Sequence, residues 1–264
     1  MLSIIEDWFF SDLGEPGEFQ YKAIHLITVA VILAITITFG ILCASKKISE
    51  KTKRNMLIGT CAFHLIFEVT WRILYITIRH DSWLSTYPMY PCNLSGILIP
   101  IIALCDFKPG KKLFYLFGFA TGVLTFVMPE GIFTRSVLTF PILKSILQHT
   151  GLILIPVMEY ASGKYKENIK NFNWLFVGLV IHVINAEVID PLLGFNGDFM
   201  FFRSNLPFVI PGVPQWFTMS FFGILVLVFL ELVSDVNVTK EVFIDLKNKL
   251  FYKKKSKNIP VNQE

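Results

Sequence analysis

Tyr87-Pro88-Met89-Tyr90-Pro91-Cys92-Asn93-Leu94-Ser95 runs directly into an apolar segment, residues 96–105. Proline is tolerated in the first turn of a helix, because the N–H it lacks would have no intrahelical partner there. The stretch therefore predicts a helix that starts at the prolines and plunges at once into apolar surroundings. Cys92 is expected about one turn inside it. A thiol near a helix N-terminus feels the positive end of the macrodipole, which favours thiolate. Such a cysteine serves equally as a nucleophile or as a small packing residue, and the rest of the chain has to decide between them.

Working outward, apolar segments of 18 or more residues recur, each long enough to cross a hydrocarbon core of about 30 Å. Of the 264 residues 53% are hydrophobic and only 17% charged, and the mean hydropathy is +0.57, which excludes an ordinary soluble domain. Seven spans are expected, near residues 21–44, 55–79, 88–105, 113–131, 139–158, 173–190 and 214–234. The fold class is all-α: a polytopic seven-transmembrane-helix bundle. Residues 1–20 form an external N-terminal segment, 21–235 the membrane domain and 236–264 a basic cytoplasmic tail. Trp8-Phe9-Phe10 reads as an interfacial anchor within an acidic N-terminus that lacks the layout of a signal peptide.

The basic residues sort by side. Lys46, Lys47, Lys51, Lys53 and Arg54 follow the first span, Lys108, Lys111 and Lys112 the third, and Lys164, Lys166 and Lys170 the fifth. The opposite connections hold only Arg79, Arg135 and Arg203, with Lys22 beside the first span. The positive-inside rule then gives an external N-terminus and a cytoplasmic C-terminus in a cell-membrane, multi-pass protein. Residues 238–252, followed by Lys253-Lys254-Lys255, suit an amphipathic helix drawn to anionic lipid. The implied partners are membrane lipids; a nucleic-acid role does not suit so short a basic run. The long sixth loop carries Phe195, Phe199, Phe201, Phe202 and Phe208 among Asn196, Asp198, Arg203 and Asn205. That apolar density suits a segment in the interface or a lid over a cavity.

Ionisable groups inside spans cost about 2.5–3.5 kcal/mol each on insertion scales and are site candidates by default. His64, Glu68 and Arg72 recur at intervals of four, with Tyr75 three further on, which puts them on one helical stripe. Glu68 and Arg72 can pair as a packing element, or Arg72 can hold a phosphate or carboxylate. Lys144, Gln148, His149 and Thr150 lie in the fifth span; His182, Asn185, Glu187 and Asp190 lie in the sixth. At 1.5 Å per residue, Arg72, Cys92, His149 and Asn185 come out at one level in the outer half of the membrane. Four helices contributing polar groups at one depth describe an outward-facing cavity.

Acyl transfer needs a nucleophile, a base within reach and donors aimed at the oxyanion. Cys92 and His149 fit the first two roles, and Asn93, Ser95 or Arg72 the third; Glu68 and Asn185 complete the polar wall. The remaining cysteines, Cys43, Cys61 and Cys105, have no proline-led helix start beside them and read as core residues. No metal-ligand spacing is visible, no cofactor is expected, and a retinal-type receptor is disfavoured because span 214–234 has no lysine. The competing class is a non-enzymatic transporter or receptor using Glu68, Arg72, His182 and Asn185.

Pro88-x-x-x-Cys92-Asn93-Leu94-Ser95, Gln148-His149 and Gly194-Phe195-Asn196 before the last span occur in this order. Together they resemble YwaF-like bacterial integral membrane proteins, which are similar to the animal transmembrane acyltransferase family that makes polyunsaturated ether phospholipids. The resemblance covers roughly residues 20–235. It implies a catalytic cysteine at Cys92 and a catalytic histidine at His149. The chain departs from the bacterial pattern in having Tyr90-Pro91 before the cysteine, where that pattern has Leu-His.

Overall fold

The computed structural model describes residues 2–256 apart from 11–12, 79, 81, 130–131, 196, 201, 203–209 and 211. The expectations placed on Arg79, Arg203, Asn205, Phe201, Phe208 and Asn196, and on residues 257–264, lie outside the described residues. Nine helices are labelled here: α1 (Leu2–Phe10), α2 (Ala23–Ala44), α3 (Glu50–Ile78), α4 (Pro91–Leu104), α5 (Lys108–Val127), α6 (Phe140–Ala161), α7 (Phe172–Ile184), α8 (Gln215–Ser234) and α9 (Val236–Ser256). α7 runs on through a π-turn, Asn185–Ile189, into Asp190–Leu192. The described residues form no sheet; a single isolated bridge joins Pro16 to Arg135.

Five segments are long and apolar enough to cross a membrane: α2, α3, α6, the α7 segment Ile169–Leu192, and α8. Two of the seven expected spans take another form. α4 is apolar but has only 14 residues, about 21 Å of helix. α5 is 20 residues long but carries Lys108, Lys111 and Lys112 in its first turns. Both are short of lipid-facing surface because they lie among other helices, and α4 packs on α3, α5 and α6.

α6 is the centre. Buried residues fill 67% of its membrane-length window, against 17% for α2 and α8. The outer helices instead turn large apolar side chains outward, among them Leu26, Ile27 and Ile41 of α2 and Phe217, Phe221 and Phe229 of α8. In water such faces would be a large exposed apolar patch; in hydrocarbon they have nothing to escape from. Close approach inside the bundle relies on small residues. A Cβ on Gly122 of α5 would meet the His149 carbonyl of α6 at 3.0 Å, and one on Gly178 of α7 would strike the Leu113 backbone of α5.

The N-terminal helix does not stand apart as a separate anchor. Phe9 stacks on Phe140 at 4.7 Å, and Trp8 Nε1 donates to the Leu138 carbonyl at 2.8 Å. The following segment is tied to the α5–α6 connection by Gly17 N–H to the Thr134 carbonyl (3.1 Å) and Phe19 N–H to the Phe133 carbonyl (2.9 Å). The apolar core beneath α4 joins Ile99, Tyr115, Leu152, Ile155 and Met158, with Cys92 packed partly buried against it.

Gly178→Ala is expected to separate α5 from α7, because the obstructing atoms belong to backbone and cannot rotate away. Thermal unfolding in detergent should show a loss of about 1–3 kcal/mol, the cost range of overpacking. Gly59→Ala, where a Cβ meets nothing within 4 Å, should be neutral or mildly stabilising in the same assay.

Candidate active site

The quoted stretch folds differently from the expected start at Pro88. Pro88 and Met89 lie outside any helix, with Met89 N–H bonded to the Tyr87 carbonyl at 2.8 Å; Tyr90 is the extended N-cap and Pro91 occupies the first helical position. Cys92 therefore sits in the first turn of α4, closer to the helix end than the sequence suggests. The first-turn N–H groups of Cys92 and Asn93 lie near Sγ, and that of Asn93 donates to the Tyr90 carbonyl at 2.9 Å. The thiol is half-buried and free.

Sγ lies 3.9 Å from Asn93 Oδ1, to which it donates. The same oxygen accepts from Gln148 Nε2 of α6 at 2.7 Å. Gly96, one turn further along α4, gives room for this: a Cβ there would come within 3.1 Å of Gln148 Cγ. His149 follows Gln148. Its Nδ1 lies 2.7 Å from the Ser145 carbonyl one turn earlier. A carbonyl can only accept, so Nδ1 carries the proton and Nε2 has the lone pair, the tautomer a general base needs. Cys92 and His149 are not hydrogen-bonded to each other; their described link runs through Asn93 and Gln148.

Beside them is a charged group on α3. Glu68 accepts from Arg72 Nη1 and, at 3.0 Å, from Trp71 Nε1. Arg72 Nε also donates to the Thr86 carbonyl at 3.2 Å. The Trp71 ring is flanked by two cations, with the Arg72 guanidinium 4.3 Å and the Lys144 ammonium 4.2 Å from its centroid. Lys144 thus rests on an aromatic face. Lys144, Glu68 and Cys92 lie within range of one another's charge. Glu68 Oε1 and Arg72 Nη2 are buried without hydrogen-bond partners. One ion pair plus one extra cation leaves the group net positive, with a guanidinium nitrogen unspent.

Two expected residues have other duties. Ser95 Oγ lies 3.2 Å from His182 Nε2 of α7, and neither residue has exposed surface. The His182 ring stacks on Phe117 at 4.4 Å. Ser95 therefore bonds into the α4–α7 seam, not toward Cys92 Sγ. Asn185, the first residue of the π-turn, is a clamp. It accepts from Tyr87 Oη at 2.7 Å and donates to the Pro88 carbonyl at 3.0 Å. Thr86 on Arg72 and Tyr87 on Asn185 hold the segment before α4 between α3 and α7. His64, the other member of the α3 stripe, packs where a Cβ on Gly151 of α6 would meet its ring at 2.8 Å.

The sixth loop reaches the same place. Phe199 is buried and meets the Tyr90 ring edge-on at 5.1 Å, two residues before Cys92. A cavity of about 170 Å³ at the loop end of α8 is lined by Ile210, Val213, Phe217, Thr218, Phe221 and Phe222, none of them a candidate site residue. Sequence reasoning missed Trp71, Tyr87 and Ser145. Ser145 was open to detection, since it stands four residues before His149 on the same helical face.

The sequence model of the TMEM164 family matches residues 20–233. The chain belongs to the TMEM164 family. The match to the TMEM164 family runs from just before α2 to the last turn of α8, so every candidate residue lies inside it and α1 and α9 lie outside. With its apolar helices, this makes the chain an integral membrane protein. No curated protein and no solved structure matches it.

Arg72→Met is expected to cost about 3–5 kcal/mol, because it leaves the Glu68 carboxylate buried and unpaired. The double variant Glu68→Gln/Arg72→Met should recover a large part of that loss. Unfolding of the three proteins in detergent completes the cycle.

Proposed function

We propose that this protein is a membrane-embedded lipid acyltransferase, or a lipid acyl hydrolase, with Cys92 as nucleophile and His149 as base. The observation that carries the reading is the 2.7 Å bond between Asn93 and Gln148, which ties the residue after the cysteine to the residue before the histidine. The place of Cys92 in the first turn of α4 and the free Nε2 of His149 support the chemistry that the pair needs. A catalytic contact that is long in the free protein commonly tightens only with substrate bound.

In the first step His149 Nε2 takes the Cys92 proton and Sγ bonds to the carbonyl carbon of a lipid ester. The resulting oxyanion is met by the Cys92 N–H at the helix start. Collapse breaks the ester C–O bond, and the departing lipid oxygen takes the proton from His149. The acyl group remains on Cys92 as a thioester. In the second step a lipid hydroxyl attacks the thioester while His149 accepts its proton, and the thiol is restored. Water in place of that hydroxyl makes the protein a hydrolase. Arg72 Nη2 and Lys144 orient an anionic headgroup, and the apolar bundle admits acyl chains from the side.

The same proposal includes the architecture: α4 and α5 complete a seven-span domain over residues 21–235, with an external N-terminus and a basic cytoplasmic tail from 236. It puts Cys92 toward the outer leaflet. The basic connections on one side support that orientation.

A second reading rests on the absence of a Cys92–His149 bond and on the unspent Glu68 Oε1 and Arg72 Nη2. There the protein is a non-enzymatic transporter or receptor and Cys92 only packs. The two separate experimentally. Under the enzyme reading, Cys92→Ala abolishes acyl-thioester labelling by a lipid-ester probe, and His149→Ala slows it by about 10²–10⁴-fold, the usual contribution of a general base. Equal labelling of wild type and Cys92→Ala would reject the enzyme. Loss of ligand uptake in Glu68→Gln, with Cys92→Ala normal, would establish the transporter.

A further inference from the structure

The end of the bundle opposite Cys92 carries a second buried polar group, which plays no part in the acyl chemistry. Lys111, with no exposed surface, donates to Asp106 Oδ1 at 2.5 Å and to Glu159 Oε1 at 2.8 Å. Tyr115 Oη donates to Glu159 Oε2 at 2.8 Å. That half is closed, with every charge met. Tyr115 leads to Tyr165, ring edge to face at 5.3 Å. Tyr165 Oη donates to Glu167 Oε2 at 2.5 Å, and Asn171 Nδ2 donates to Glu167 Oε1 at 2.8 Å. Glu167 is buried, and both its oxygens are served.

Glu231, in the last turn of α8, is the exception. It has no exposed surface, and neither of its carboxyl oxygens has a hydrogen-bond partner. Glu167 and Tyr165, from the α6–α7 connection, are the ionisable groups within range of its charge. From α5, Lys112 acts on Glu167. On the α9 side, Asp235 spends Oδ1 on the Asn237 and Val238 N–H groups. Glu231 therefore faces a second carboxylate with no cation of its own.

Burying one unpaired carboxylate is costly, and two facing each other do not both stay ionised. A bound metal ion is a poor solution: among the described residues no three His, Cys, Asp or Glu side chains are arranged to hold one. The donors on Glu167 favour keeping that group ionised, although burial pushes its carboxyl above the usual range. Glu231 has no such donors.

We propose that Glu231, facing Glu167, is a proton-binding site, occupied by one proton at neutral pH. The proton is held as the neutral acid on Glu231, while Glu167 remains the hydrogen-bonded acceptor of Tyr165 and Asn171. Release of the proton leaves two carboxylates facing across the joint between α8 and the α6–α7 connection. The site is independent of the Cys92 reading, and Cys92→Ala leaves it intact.

Infrared spectroscopy of the full-length protein in vesicles tests this. A wild-type-minus-Glu231→Gln spectrum at neutral pH should contain one protonated-carboxyl C=O band that moves in D₂O. Taking the difference removes contributions from other buried acids such as Asp190. Glu231→Asp keeps a carboxyl and should show the band at a changed frequency, which also covers a poorly folding Gln variant. A difference spectrum with carboxylate bands and no protonated-carboxyl band would overturn the proposal. So would loss of the band on titration with NaCl at fixed pH, since a cation rather than a proton would then hold the site.

Discussion

The hydrogen bond from Gln148 to Asn93 is the contact on which the candidate site depends. α4 is too short to be held by length alone, and its first turn carries the one half-buried cysteine of the chain. That bond ties the helix start to α6 side chain to side chain and so fixes its rotation. With it, Asn93 Oδ1 becomes a node that takes both Gln148 and the Cys92 thiol. The bond is part-buried, so few waters compete for it and the geometry it sets is held.

The segment that delivers the cysteine is held from both sides by backbone carbonyls. Arg72 takes the Thr86 carbonyl, and Asn185 takes those of Pro88 and Met89. Two prolines make this economical, because a segment with fixed φ and no N–H at Pro88 and Pro91 presents carbonyls while requiring few acceptors. The π-turn has a matching role. Inserting an extra residue into a helical turn re-aims the side chains after it, and the turn begins at Asn185 itself.

Much of this was legible in the sequence, and the parts that were not share a cause. Glu68 and Arg72 declared themselves by a spacing of four within one helix, and the structure pairs them. The all-helical fold followed from apolar run lengths alone. Partners across helices carry no spacing signal, so Ser95 with His182 and Tyr87 with Asn185 could not be read: 87 and 98 residues separate them. Length was the other weak point. Apolar composition marks α4 as membrane-like, whereas its 14 residues and the lysines opening α5 keep both helices out of the long apolar class. Cys92 was placed on the right helix but about one turn in instead of in the first turn, because Pro88 and Pro91 are equally good first-turn residues and α4 starts at the second.

The distribution of unpaired polar atoms then says where the bundle is not finished by its own chain. Around Trp71 the surplus is positive, with two cations on one ring, one carboxylate and a free guanidinium nitrogen. At the far end of α8 the surplus is negative, with Glu231 facing Glu167. Elsewhere Lys111 is paired with Asp106 and Glu159, and Ser95 with His182, while Asp190 is a further buried carboxyl with neither oxygen hydrogen-bonded. A buried charge left without a partner costs several kcal/mol and contributes nothing to folding. The groups around Trp71 and at Glu231 are opposite in sign and lie on different helices, which packing alone does not require. On the readings proposed above, an anionic headgroup completes the first and a proton the second.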